Sequence, residues 1–543
     1  MMARPTAAHG ADGVDQMPWA GLWRDLCDHQ AERFGDKTAF VNVDGSALSF
    51  AAFRTRVYRL NNAVARMGLR KGDRVAILAK NRTEYVEVYG LASSGIITVP
   101  LNWRLTAAEL LPLLEHSAPA LIVADEQHAA LIDTLLPGLR RAPLLLRFGA
   151  GGGGWQAYEE VVAAAPDTCP EPDAPLTPDD TICLMYTSGT TGAPKGVALS
   201  HRGILGNARL SSQQVLGLTP QDRTLAAMPF FHAGGMWYHL HPSYAAGCTS
   251  VILPGFDAER VLATLERAAI TNVHLVPTMI GALLAHPAIG TTDLGRLRLI
   301  FYAASSIPLE LLKRALAAFA GCALVQSYGS TEAGMVTVLT SADHARALAG
   351  AERLLASCGR AIPGNRVRIV DHRGAEVAPG AVGEIVVRGA SMMSHYWNNQ
   401  AATTAGLHDG WFQSGDLGYC DDEGYVYLVD RKNDMIVTGG ENVYPSEVEA
   451  VLNADPDIAA AAVFGLPDPV WVERVVAAVV PRAGAVVTEE QVIARMRERL
   501  AAYKCPKQVF LRTQLPLNAV GKISKKDLRL ACTEATAGQG DSL

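Results

Sequence analysis

The densest concentration of chemically useful residues lies at 186–197, which reads Y-T-S-G-T-T-G-A-P-K-G-V. Thr187, Ser188, Gly189, Thr190 and Thr191 place hydroxyls and a glycine in one run, and Gly192 and Lys195 follow. Glycines let a backbone turn tightly and present its N–H groups to an anion, and hydroxyls add donors. Lys195 supplies a positive charge for a polyphosphate. Apolar runs at 182–185 and 197–199 predict strand, loop, strand: a hairpin-like loop carried on buried β structure. The spacing is not that of G-x-x-x-x-G-K-[ST], so a P-loop nucleoside triphosphatase is not the natural reading. On local composition alone, a polar surface turn competes with a phosphate loop.

Three further stretches carry groups of the right kind. Residues 324–334, L-V-Q-S-Y-G-S-T-E-A-G, read as a strand delivering Tyr328, whose ring can stack on a purine. Thr331 and Glu332 then fall at the strand's carboxyl edge, where α/β folds bind ligands. A carboxylate facing a triphosphate repels it unless a hard cation lies between them, which makes Glu332 the natural magnesium ligand. An isolated Thr-Glu pair is equally an ordinary loop. In 410–419, G-W-F-Q-S-G-D-L-G-Y, tight glycine turns flank Asp416, a carboxylate suited to accept both hydroxyls of a ribose or simply to cap a turn. In 228–237, M-P-F-F-H-A-G-G-M-W, aromatics and glycines surround His232, and a lone histidine is more often structural than functional.

These residues need a scaffold, and the flanking patterns describe one. Phe53, Val57, Leu60 and Val64 repeat at helical spacing, 74–78 reads as a short strand, and Thr106 with Glu109 forms a capping box before a helix. Strands and helices alternating over this length predict α/β layers with a largely parallel sheet. Residues 299–302 read as a buried strand entering A-A-S-S at 303–306, and 383–389 as another. The glycine run 149–154 reads as a flexible surface connection, and 421–424 as a β-turn. Between 430 and 436 a polar segment, D-R-K-N-D-M-I, separates two apolar strands and reads as a linker or exposed turn. Beyond it a compact α+β unit is expected. It has a helix from Pro445 with Val448, Val451 and Leu452 on one face, strands at 459–464 and 475–480, and an amphipathic helix over 489–503 through Val492, Met496 and Leu500.

At 543 residues the chain exceeds one ordinary core, so two or more domains are expected. Apolar residues make up 49% and the net charge is −6, which describes a globular enzyme-sized protein with no electrostatic case for nucleic acid. Nine cysteines are scattered from Cys27 to Cys532 without a C-x-x-C pair, which suits a reducing compartment. Residues 1–18 lack the apolar segment of a signal peptide, and no run approaches the ~18 apolar residues of a membrane span, so a soluble cytoplasmic location is expected.

With these blocks in place, the 186–197 stretch resembles the signature phosphate loop of adenylate-forming enzymes, the superfamily of acyl-CoA synthetases, amino-acid adenylation domains and beetle luciferases. The resemblance runs through six blocks, in order, from about residue 21 to 530. It implies a large multi-subdomain α/β N-terminal domain of layered sheets and helices over 1–430, a hinge at 431–433 pivoting on Asn433, and a small mobile α+β domain over 434–543. It further implies that ATP and AMP meet the 187–191 loop, Lys195, Ala304, Ser327, Tyr328, Gly329, Thr331, Asp416, Arg431 and Lys522. Thr187, His232, Glu332 and Lys522 would serve catalysis, with Glu332 holding Mg²⁺ and Lys522, in the G-K-I core at 521–523, acting as the adenylation lysine. Phe231, His232, Trp237, Tyr302, Ala303 and Ser327 would line the acyl pocket, and Gly439 and Gly440 the channel for CoA.

The chain departs from the family pattern at three places. Alanines stand at 303 and 304 where glycines are common, Asn433 stands where aspartate or lysine is usual, and Asn518 and Val520 stand where arginine or threonine is common. The activity implied is that of an ATP-dependent carboxylic acid:CoA ligase, forming an acyl-adenylate and pyrophosphate and then an acyl-CoA thioester and AMP. No acidic residue lies between 228 and 237 to hold a substrate ammonium, so amino acids are disfavoured, and an aryl or medium-length aliphatic acid is expected. A ligase loading a carrier protein is the alternative within the superfamily, disfavoured by the lack of an evident insertion between 370 and 430. A luciferase-like oxidation is more distant, and a non-catalytic nucleotide-binding regulator is opposed by the intact Glu332 and Lys522. The resemblance is compatible with a homodimer.

Overall fold

The computed structural model describes residues 21–187, 195–305, 307–432, 434–438, 441–468, 471–517 and 522–537. Two compact units emerge: Met1–Val367 with Val387–Gln413, and Arg368–Val386 with Ser414–Leu543.

The first unit is built on two sheets. In the nine-stranded sheet the order is Arg360–Ala361, Gly334–Leu339, Ala323–Ser330, Leu299–Ala303, Asn272–Leu275, Arg223–Ala226, Thr249–Ile252, Thr38–Asn42, Ala47–Ser49. Its centre, from Ala323–Ser330 through Thr38–Asn42, is parallel, and antiparallel strands finish both edges. The eight-stranded sheet runs His395–Tyr396, Lys195–Ser200, Thr181–Thr187, Ile97–Pro100, Arg74–Leu78, Leu121–Asp125, Leu144–Phe148, Gln156–Ala157. Near-continuous apolar runs of Val, Ile and Leu are what strands covered on both faces require. Val75, Ile77, Val99, Ile122 and Leu184 accordingly have no exposed surface.

The predicted hairpin is present: Thr181–Thr187 pairs antiparallel with Lys195–Ser200, in register from Thr187↔Lys195 to Cys183↔Leu199, with a register shift before Thr181↔Ser200. Cys183 and Leu184 on one strand, and Val197 and Ala198 on the other, are fully buried. The helix Ala107–Ser117 opens with the expected capping box, in which Glu109 accepts from the Thr106 amide at 2.8 Å.

In the second unit, a ladder pairs Asp416 with Arg431 and Leu417 with Asp430. A five-stranded sheet combines Ile436–Thr438, Glu441–Val443, Ile458–Asp468, Val472–Pro481 and Gln508–Leu511. Val463, Val475, Ala477 and Val479 form its core with Val448 and Leu452 of helix Pro445–Asn453. The helix expected over 489–503 ends earlier, as Glu489–Arg497. Lys504 N–H closes a turn on the Ala501 carbonyl at 2.9 Å, and Pro506 follows before strand Gln508–Leu511, so the chain leaves the helical path while Leu500 still packs on the core. The second compact unit takes in residues upstream of the expected boundary at 430–434, namely Arg368–Val386 and the chain from Ser414 on. Ser446 accounts for part of this, because its N–H donates to Asp430 Oδ2 at 2.9 Å and its hydroxyl to the Val429 carbonyl.

Candidate active site

Within the first unit, the first hydroxyl of the phosphate-loop hairpin meets a carboxylate. Glu332 follows strand Ala323–Ser330, and its Oε1 accepts from Thr187 Oγ1 at 3.3 Å and from the Tyr396 hydroxyl at 3.1 Å. The Lys195 ammonium sits 5.1 Å from the centre of the Tyr396 ring. Three separate stretches of sequence thus meet, the 187–195 hairpin, Glu332 and Tyr396, with Tyr396 touching the carboxylate and lying beside the lysine. Burial, followed by repulsion from the Glu332 charge and the hydrogen bond to it, raises the Tyr396 pKa, so the phenol stays protonated and remains a donor. Ser188, Gly189, Thr190 and Thr191 lie outside the described residues.

The Tyr328–Gly329 turn is shaped by a close approach of backbone. The register with Gly334–Leu339 slips between Tyr328 and Gly329, and a Cβ on Gly329 would stand 2.1 Å from the Gly334 carbonyl oxygen. Only glycine fits there. Ser327 is buried, and its hydroxyl donates to the Thr337 carbonyl at 2.7 Å.

A narrow cavity opens beside this turn, lined among others by Ile204, Trp237, Tyr238, Thr331, Gly334 and Ser391. None of its lining residues carries a charge. Trp237 is among the residues that line it. Tyr302 is fully buried with its hydroxyl 2.9 Å from His344 Nε2, and Phe231 packs edge-on against Trp103, so neither lines this cavity. Ala303 packs in an apolar cluster with Phe301 and Met335, against which Tyr238 also rests.

Ala304 is held at φ +76°, in the left-handed region. A side chain there costs about 1–2 kcal/mol. Ala304→Gly relieves that strain but adds about 0.5–1 kcal/mol of chain entropy to the unfolded state. The expected outcome is a net gain of up to about 1 kcal/mol, read as a higher urea midpoint at an unchanged slope. A midpoint that fell or stayed put would mean that the surrounding turn relaxes to accept alanine.

His232 is half-buried, and the loop leading to it is pinned from several sides. Buried Asn81 donates to the Met228 carbonyl at 2.8 Å and accepts from the Phe230 amide at 2.8 Å, while the Tyr89 hydroxyl donates to the Phe230 carbonyl at 2.8 Å. Nothing in the local sequence around Asn81 or Tyr89 signals this role, since both come from 147 and 141 residues upstream. Tyr396 was likewise not singled out by the sequence reading; its only signal is its place in S-H-Y-W at 394–397, after the 383–389 strand.

The second unit carries another charged group of its own. Asp416 is nearly fully buried and pairs with Arg431 Nε at 2.7 Å, while its backbone N–H donates to Ser414 Oγ at 3.0 Å. Lys522 lies in the field of this pair. Desolvation first, and then the Arg431 guanidinium, lower its pKa, and the Asp416 carboxylate opposes the change. Its side chain stays accessible to water, which moderates the desolvation. Asn433, Gly439 and Gly440 lie outside the described residues. No helix among the described residues is long and apolar enough to cross a membrane.

Comparison with known proteins agrees with this geometry. Residues 27–397 match the family model of the AMP-binding enzymes, and residues 447–522 match that of the AMP-binding enzyme C-terminal domain. An indoleacetate–CoA ligase from Aromatoleum aromaticum is 38% identical over 483 residues, spanning 89% of this chain and 92% of the relative. A feruloyl-CoA synthase from an Amycolatopsis species is 38% identical over 501 residues, spanning 92% and 96%. The solved structure of the anthranilate CoA ligase AuaEII with anthranoyl-AMP superposes with a TM-score of 0.86 at 27% identity, covering 96% of this chain and 99% of that one. The chain belongs to the AMP-binding enzyme family, as an adenylate-forming enzyme of the acyl-CoA synthetase type.

Proposed function

We propose that the chain activates an uncharged aryl carboxylic acid with ATP and passes the acyl group to CoA. The observation that carries the choice of acid is the likeness to relatives named for indoleacetate and ferulate, each 38% identical, and to the neighbour holding anthranoyl-AMP. The described surroundings of Trp237, Tyr238 and Thr331 are in keeping with it: they carry no charge, so a second carboxylate or an ammonium placed there would lack an ionic partner.

In the first half-reaction the substrate carboxylate attacks the α-phosphate of ATP, and pyrophosphate leaves. Such a reaction depends mainly on positioning and charge neutralisation. Lys195 and the 187–191 hydroxyls would cradle the phosphates, His232 would donate to the acyl carboxylate, and Lys522 would sit against the charge that builds between carboxylate and α-phosphate. Tyr328 would stack on the adenine, and Asp416 with Arg431 would bind the ribose. Among the described residues no group of three or more His, Cys, Asp or Glu converges, so a metal here would rest on one carboxylate and the nucleotide's own oxygens, the usual habit of Mg²⁺. Glu332 would hold that ion, which supplies neutralisation of the phosphate charge. Rotation of residues 434–543 about Asn433 would then bring Gly439 and Gly440 to the acyl group, so that the CoA thiol displaces AMP.

A panel of aryl, aliphatic, dicarboxylic and amino acids, followed by pyrophosphate release with and without CoA, tests this reading. Uncharged aryl acids are expected to give the highest kcat/KM, with acyl-CoA and AMP formed when CoA is added. A dicarboxylic or amino acid at the top of the ranking would overturn the substrate class. Pyrophosphate release without thioester formation would replace CoA with another acceptor, such as a carrier protein.

A further inference from the structure

Behind His232 lies a second histidine with no role in the scheme above. His274 sits mid-strand in Asn272–Leu275 with 1% of its surface exposed, its ring 4.4 Å from that of Phe301. Its Nε2 is buried with no hydrogen-bond partner among the described residues. A buried imidazole with only one satisfied nitrogen is a poor packing residue beside an apolar one of similar size. The nitrogen that is satisfied makes one contact, and that contact leads to His232.

His274 Nδ1 lies 2.9 Å from the Gly234 carbonyl oxygen. A carbonyl only accepts, so the proton of His274 is on Nδ1. The same glycine's N–H lies 3.1 Å from His232 Nδ1. A backbone N–H only donates, so His232 Nδ1 is an acceptor, and in the neutral ring its proton stands on Nε2. Two successive peptide groups meet at the Gly234 Cα, so fixing the carbonyl of one at the buried ring fixes the direction in which the N–H of the other meets the half-exposed ring. Space confirms the fit: a Cβ on Gly234 would stand 3.2 Å from both His232 Nδ1 and His274 Cε1. Burial, and then the neighbouring His239, keep His274 neutral by pushing its pKa well below the ordinary histidine value.

We propose that His274 is a positioning residue for His232: by holding the Gly234 peptide, it keeps His232 with its proton on Nε2, as a hydrogen-bond donor to the carboxylate oxygen of the acyl substrate. This rests on the reading of His232 as an acyl-site residue, and the test separates the two.

The test uses the full chain with an acid selected from the panel, and measures ATP–pyrophosphate exchange for His232→Ala, His274→Leu, His274→Asn and the double variant His232→Ala/His274→Leu. Long-range ¹H–¹⁵N spectra of histidine-labelled protein report the His232 tautomer, assigned by its loss in His232→Ala. His274→Leu is expected to lower kcat about tenfold, the scale of one lost polar contact in a buried site, with the KM for ATP held within about twofold. Asparagine offers an amide N–H where histidine has Nδ1–H, so His274→Asn is expected to recover most of the rate and the Nε2–H signature. The double variant is expected to be no slower than His232→Ala alone. Equal losses in the Leu and Asn variants, multiplied losses in the double variant, or an unchanged tautomer in His274→Leu would each overturn the proposal while leaving His232 in place. Full activity of His232→Ala would instead remove His232 from the reaction, and the proposal with it. If His274→Leu fails to fold, Gly234→Ala leaves both histidines in the chain and crowds the contact between them, its Cβ 3.2 Å from each ring, and is expected to give the same fall in kcat and the same loss of the single tautomer; unchanged kcat and tautomer there would overturn the proposal.

Discussion

Lys522→Ala is expected to slow acyl-adenylate formation about 10²–10³-fold, the usual loss for one preorganised electrostatic contact at a transition state. Thioester formation from a chemically prepared acyl-adenylate should stay close to the wild-type rate. The contrast follows from where the residue sits. Lys522 belongs to the second compact unit, whereas Thr187, Lys195 and Glu332 belong to the first, so the part in adenylation proposed for it would require the second unit to bring it to them. Protonation adds an independent signature. The ammonium is the active form, and it is lost as pH rises through its pKa. Desolvation, then Arg431, lower that pKa below the ordinary lysine value. The alkaline fall in adenylation should therefore begin at a lower pH than an ordinary lysine would give, and Lys522→Arg should move it upward. Measuring pyrophosphate release and acyl transfer separately checks both points. Equal loss of the two half-reactions in Lys522→Ala, with the fold intact, would assign the lysine a structural role and remove the argument for a rotating domain.

The parts of this site that were legible in the sequence are those whose chemistry is local. The phosphate-loop hairpin declares itself because apolar runs flank a polar turn, and the register Thr187↔Lys195 is what that pattern requires. Glu332 is legible because it follows a strand at the edge where ligands bind. The contacts that were not legible are the long-range ones. Tyr396 reaches Glu332 across 64 residues and Asn81 reaches the Phe230 amide across 149, and no periodicity encodes such a meeting. His274 is one of two polar residues, with Asn272, in the four-residue strand N-V-H-L, and its meaning appears only when the Gly234 carbonyl is found at its Nδ1. Tyr302 is a further long-range case: the resemblance implies a place in the acyl pocket, and what the structure adds is that its hydroxyl lies 2.9 Å from His344 Nε2 on the helix Ser341–Leu348, 42 residues on. Ala304 shows a third case, in which the departure from glycine was visible but its backbone cost was not.

Glu332→Gln is the substitution that isolates charge from architecture. The amide oxygen of glutamine can still accept from Thr187 Oγ1 and from the Tyr396 hydroxyl, the two contacts that hold the carboxylate at 3.3 and 3.1 Å, so the local fold should persist. What disappears is the negative charge that a hard cation needs. Adenylation is expected to fall about 10²-fold at fixed magnesium, and the magnesium concentration for half-maximal rate should rise, with the urea midpoint little changed. Tyr396→Phe provides the graded comparison. It leaves the charge but removes one hydrogen bond to it, a contact worth about 1.5–3 kcal/mol when one partner is ionised. Part of that loss is returned as water reaches the carboxylate, so a magnesium effect of about tenfold is expected, smaller than that of Glu332→Gln. The ordering matters more than either value. If Tyr396→Phe proved the more damaging of the two, the phenol would act on the reaction directly and not through Glu332. If Glu332→Gln left the magnesium dependence unchanged, the ion would rest on the nucleotide alone, and the carboxylate's part would be to orient Thr187 at the entrance of the phosphate loop.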